Sequence, residues 1–191
     1  MRWFFAPILV TCAVALSGCS TTFSDAQVKS IQQVGVVSML GNTFHGLEIT
    51  NTGLRGAHYD ADVVDWRLDD TIADYVRHRL TADGLSAKRL DILPKGTEDF
   101  YSTPLVSNDY IFIQGYASQE PRYAELCQLA LAQGDDTLVV VGRTLNPHDS
   151  LHMLGYGIID QHLIGRPHRN VYANFVIRVF DTRTGSQRAV A

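Results

Sequence analysis

The chain has 191 residues, 16 Lys and Arg against 20 Asp and Glu, and is 46% hydrophobic and 19% charged. That length suits one domain and excludes two independent cores, while the apolar content excludes a wholly disordered chain. A formal net charge of −4 excludes a nucleic-acid partner held by broad phosphate neutralisation.

The first element is a leader. Arg2 is a minimal basic start, and Trp3 to Leu16 is an apolar run of about 14 residues, the pattern of a secretory signal. A permanent membrane span needs roughly 20 such residues. The run ends in Leu16-Ser17-Gly18-Cys19, which resembles the lipobox of bacterial lipoproteins. That resemblance implies lipidation of Cys19, palmitate included, and cleavage before it. Two or more acyl chains anchor stably where one is marginal. Ser20 in place of an Asp implies the outer rather than the inner membrane, with the chain lipid-anchored and facing the periplasm. Residues 1–18 are therefore expected to be the signal peptide, 19–30 a lipidated tether, and 31–191 a single periplasmic domain. Cys12 leaves with the leader and Cys19 is consumed by lipid, so Cys127 has no partner for an internal disulfide.

Val34 to Leu40 is a β-branched apolar run and predicts a buried strand. Residues 41–64, with four glycines and several Asn and Thr, predict a hairpin or long loop. Asp65 to Asp83 has Leu68, Ile72, Tyr75, Val76, Arg79 and Leu80 at helical spacing. Asp69 and Asp70 suit its positive N-terminus, and Gly84 suits its C-terminal cap. Trp66 at its start is expected to cap the core. Ala87 to Leu93 predicts a strand stopped by Pro94, and Tyr110 to Tyr116 a second one. Pro121 fits the first turn of a helix ending at Gly134, whose apolar face carries Tyr123, Cys127, Ala130 and Leu131. Thr137 to Leu145 is the most apolar strand and is expected to be central. Leu154 to Ile164 and Val171 to Phe180 predict two long strands. The second sets Val171, Ala173, Phe175, Ile177 and Val179 on one face. Asp181 to Gly185 is a turn, and Ser186 to Ala191 its returning strand. The order predicts an α/β (or α+β) fold, a mixed β-sheet with two packed helices and a C-terminal β-hairpin.

Two stretches carry a family resemblance. Ala124 to Gly142 (AELCQLALAQGDDTLVVVG) joins a helix to a central strand through an acidic pair, and Val171 to Gly185 ends a late strand in an Asp-x-x-Thr-Gly turn. Together they resemble the periplasmic α/β domain of the curli-transport (CsgG-like) lipoproteins. No pair of pore-forming segments accompanies them, so channel activity is not expected. The overall layout also resembles uncharacterised bacterial lipoproteins that begin Val-Gly-Val-Val-Ser and carry Asp-Trp before the first helix.

Candidate chemistry lies in residues 148–152. His148 and His152 stand at i, i+4, a spacing that can chelate a metal on a helix, but Asn146-Pro147 opens a loop there and no second ligand pair follows. No metal and no cofactor is expected. Gly41-Asn42-Thr43, Ser107-Asn108-Asp109 and Asp149-Ser150-Leu151-His152 fall in the order of the blocks of SGNH hydrolases. They resemble that family with Thr43 where its nucleophilic Ser stands. The alternative to a binding protein is thus a lipid-anchored hydrolase using Asp149 and His152, with His148 nearby. The first expectation is a non-catalytic periplasmic domain that joins a second copy of itself or another envelope protein. The last strand, Ser186 to Ala191, is expected to offer the open sheet edge.

Overall fold

The computed structural model describes residues 25–49, 56–91, 120–144, 153, 155–162 and 167–190. They form a mixed eight-stranded sheet with two packed helices, an α/β fold closed by a C-terminal hairpin. The strands are β1 Val34–Met39, β2 Thr43–Ile49, β3 Gly56–Asp62, β4 Ala87–Arg89, β5 Thr137–Arg143, β6 Gly155–Gln161, β7 His168–Asp181 and β8 Gln187–Val190. The helices are α1 Asp25–Lys29, a short turn before the first strand, α2 Leu68–Ala82 and α3 Glu120–Ala132. The strand expected at Tyr110–Tyr116 lies outside the described residues.

Pairing runs β3-β2-β6-β7-β5-β1-β4, with β8 also on β7. β1 is parallel to β4 and β5, β2 is parallel to β6, and β7 is antiparallel to both β5 and β6. β5 and β6 lie end to end along one edge of β7. Arg143 pairs with Phe175 and Gly155 with the adjacent Asn174. The Gly155 N–H donates to the Thr144 carbonyl at 3.3 Å, and a Cβ on Gly155 would lie 3.8 Å from that of Arg143. On opposite edges these groups would be two strand spacings apart, about 10 Å. β1 and β2 likewise run in succession along the far side of β5 and β6. The sheet therefore has a lower half (β4, β1, β5, β7, β8) and an upper half (β3, β2, β6 and the start of β7).

In the lower half β1 and β5 are buried on both faces, which is why they read as unbroken apolar runs. Val34, Val36 and Val139 meet α2 through Ala73 and Val76. Val37, Met39, Leu138, Val140 and Phe180 meet α3 through Tyr123, Leu126, Cys127 and Ala130. Each fully buried aliphatic side chain contributes about 1.5–3 kcal/mol relative to exposure. Asp69 pins the junction between β1 and β2. It accepts from Ser38 Oγ at 2.6 Å and from the N–H groups of Leu40 at 2.6 Å and Gly41 at 2.9 Å.

Several elements differ from expectation. The helix expected over Asp65–Asp83 is split. Val64–Trp66 is a 3₁₀ turn, Arg67 takes a left-handed conformation at φ 47°, and α2 starts at Leu68. Arg67 holds that turn by bonding Asp70 at the helix start. Gly84 and Gly134 both adopt positive φ after their helices, as the caps require. Tyr75 and Arg79 face solvent rather than the core, because the stripe is centred on Ala73. Trp66 is 56% exposed, touching Phe44 edge to face instead of sealing the core. On α3, Tyr123, Cys127 and Ala130 are buried as expected but Leu131 is exposed, its position one step round the helix from Ala130. β4 is only three residues long. β7 starts three residues before the expected Val171, at His168.

Candidate functional site

The residues singled out for chemistry, His148, Asp149 and His152, lie outside the described residues, as do the lipidation candidate Cys19 and the Ser107-Asn108-Asp109 block. Gly41-Asn42-Thr43 forms the β1–β2 junction. Gly41 there has φ 76° and its carbonyl accepts from the Tyr156 hydroxyl at 2.7 Å, a structural role. Gly155 and Gly157 lie in strand β6. Among the described residues no group of three or more His, Cys, Asp and Glu is arranged to hold a metal ion.

A polar group that the sequence analysis missed sits in the upper half. His45 on β2 is directly opposite Asp60 on β3, with Nδ1 2.8 Å from the carboxylate, while Nε2 is 3.5 Å from the Arg143 guanidinium. A guanidinium only donates, so this network assigns Nδ1–H to Asp60 and leaves the Nε2 lone pair facing Arg143. A general base needs that lone pair free for its nucleophile. The group therefore ties β2, β3 and β5 together. No motif announced it, since its members are separated by up to 98 residues.

Cys127 behaves as a packing residue. Burial, with a smaller contribution from the Asp181 charge, pushes its thiol up to about 11, away from the reactive thiolate. A thiol reagent at pH 7.5 is expected to label native protein slowly and denatured protein at the ordinary rate. Equal rates would place Cys127 at the surface.

The feature left over from the core is an open sheet face. Residues at even positions of β1 and β2 face the α2 side; α2 covers the lower half and, through Leu68 and Ile72, only the start of the upper half at Phe44 and Tyr156. On the upper half of that face stand Tyr59 (β3), Ile158 (β6) and, along β7, Val171, Ala173 and Phe175. Val171 is 77% exposed, Phe175 51% and Tyr59 48%. The Tyr59 ring lies over Gly46, where a Cβ would come within 2.0 Å of it, so glycine at that strand position lets an aromatic side chain cover the backbone. Glu48 and the cross-strand pair Arg169–Asp160 (Nε to Oδ2, 3.0 Å) border the patch. The five apolar side chains expected to share one face of β7 do share it, and of them Ile177 and Val179 pack into the core. Val171 and Phe175 are presented to solvent, because the strand outruns the helix that would cover it.

The turn after β7 packs on the segment before β5. The Thr182 hydroxyl, buried in the turn after β7, donates to the Asp135 carbonyl at 2.7 Å, and its N–H to the Asp136 carbonyl at 3.1 Å. Arg188 on β8 pairs with Asp181 and holds its carboxyl below the usual range. Comparisons of the chain with family models, with curated proteins and with solved structures gave no match. Among the described residues no helix is long and apolar enough to cross a membrane.

Proposed function

We propose that this protein is an outer-membrane lipoprotein, anchored through Cys19, whose periplasmic domain binds or assembles with envelope components, a second copy of itself included, without catalysis. The observation that carries the binding half is the open apolar face at Val171, Phe175 and Tyr59, since exposed apolar patches with polar rims mark protein contacts. The anchoring half rests on the Leu16-Ser17-Gly18-Cys19 pattern.

Each half has its own test. Cys19→Ala should abolish incorporation of labelled palmitate and release the protein from the membrane fraction; unchanged labelling would remove the anchor. For the binding half, a photoreactive phenylalanine analogue at Phe175 should give protein adducts in intact envelopes. The same analogue at the exposed α2 position Tyr75 should not. Equal yields at both positions, or none at either, would refute binding at this face.

A further inference from the structure

We infer that the edge of β7 that no described strand meets pairs antiparallel with the same edge of a second copy of the chain, joining two eight-stranded sheets through a two-fold axis near Tyr172. This deepens the binding proposal above and rests on it. The main-chain groups of β7 alternate between its edges. The Asn174 carbonyl accepts from Thr144, on the β5–β6 edge, whereas Asp181 exchanges both its groups with the β8 side, its N–H donating to Ser186 and its carbonyl accepting from Gly185. Odd-numbered residues therefore point to the β8 edge. β8 pairs only with Arg178, Val179 and Phe180, so no described strand meets the outward N–H and C=O groups of Arg169, Val171, Ala173 and Phe175. What such groups take is another strand.

The sequence of this edge indicates which strand. From Asn170 to Ile177 it carries no charge and no proline, although native edges are normally blunted by one or the other. The outer strands among the described residues are defended: β4 is three residues long with Lys88 and Arg89, and β3 carries Asp60 and Asp62. At one end Pro167 precedes the strand, and at the other Val190 of β8 lies opposite Arg178. Between these stops, an antiparallel pairing centred on Tyr172 sets His168 opposite Val176 of the second copy. Val171 then faces Ala173, Asn170 faces Asn174, and Arg169 faces the Phe175 ring, with no like charges opposed. The apolar stripes of both copies merge on the open face. A two-fold pairing of this kind closes on itself, whereas β7 against β3 of another copy would propagate into a fibre.

The test uses the full-length lipidated protein in detergent. Wild type should sediment as a dimer. Ala173→Pro removes one outward N–H and no bond within the sheet, and Val171→Lys sets two like charges close across the axis. Each should weaken dimerisation at least tenfold with an unchanged circular dichroism spectrum. A photoreactive phenylalanine analogue at position 175 should crosslink to the peptide of the second copy that contains Arg169. A wild type that stays monomeric at tens of micromolar, or dimers unaffected by both variants, overturns the inference. Adducts at position 175 with a different polypeptide and none with itself also overturn it, while leaving the binding proposal standing. Absence of any adduct overturns both.

Discussion

Gly157→Ala should lower the thermal midpoint by about 6–12 °C, corresponding to about 3 kcal/mol in a chain of this size. Gly157 pairs with His45 across the β2–β6 contact. A Cβ there would stand 1.9 Å from the His45 carbonyl oxygen and 2.7 Å from the Tyr172 hydroxyl. The first obstacle is backbone, which no rotamer change moves, so β2 and β6 have to separate. Separation also pulls His45 away from Arg143 and loosens the cluster of Leu47, Ile49, Met153 and Ile159. Gly142→Ala is the matched control: its Cβ meets only the Tyr123 hydroxyl, at 3.7 Å, an ordinary contact. Differential scanning calorimetry of the two variants decides the matter, and similar midpoints would mean that the β2–β6 pairing is looser than described.

Lys88→Met should destabilise the protein by about 2 kcal/mol at neutral pH, below the ~3–5 kcal/mol of a fully buried pair because Lys88 is partly exposed. Asp135 lies just before β5 with a side chain 0% exposed, and Lys88 Nζ is 3.3 Å from its Oδ1. Burial raises the Asp135 carboxyl above its ordinary value, and the Lys88 ammonium offsets only part of that. Raised folded-state affinity for a proton means that the folded chain binds more protons than the unfolded one. Stability therefore falls as pH rises from the unfolded carboxyl value, 3.8, to the raised folded value, and the cost is complete above it. Removing the ammonium raises that upper limit further. The deficit of Lys88→Met should accordingly shrink as pH falls, and Asp135→Asn in the same chain should restore most of the loss at neutral pH. Urea midpoints at several pH values measure this; a deficit independent of pH would show that Lys88 acts through packing alone.

Much of the lower sheet was legible in the sequence. β1 and β5 are apolar at every step because they are covered on both faces, and such runs need no tertiary information to be recognised as buried strands. The glycines that end α2 and α3 were also readable, since each occupies a position that requires positive φ. Less legible was the helix start. Arg67 in a left-handed conformation is a break that periodicity does not mark, and the Asp69 side chain leaves its own helix to hold the β1–β2 junction.

By itself the sequence determined the buried strands β1 and β5, the alternation of helices and strands, and the burial of Cys127. These follow from local composition and spacing, which act over a few residues. Only the tertiary structure decided which apolar residues are core. Val171, Phe175, Ile177 and Val179 have the same character and the same period along β7, yet the first pair is open and the second is covered. The difference is the reach of α2, set where β1, β4 and the helix pack together. The His45–Asp60–Arg143 group was likewise invisible in the chain. It exists because β2 turns back on β3 while β5 and β6 share an edge, and pairing between distant strands is a global choice that no local pattern encodes.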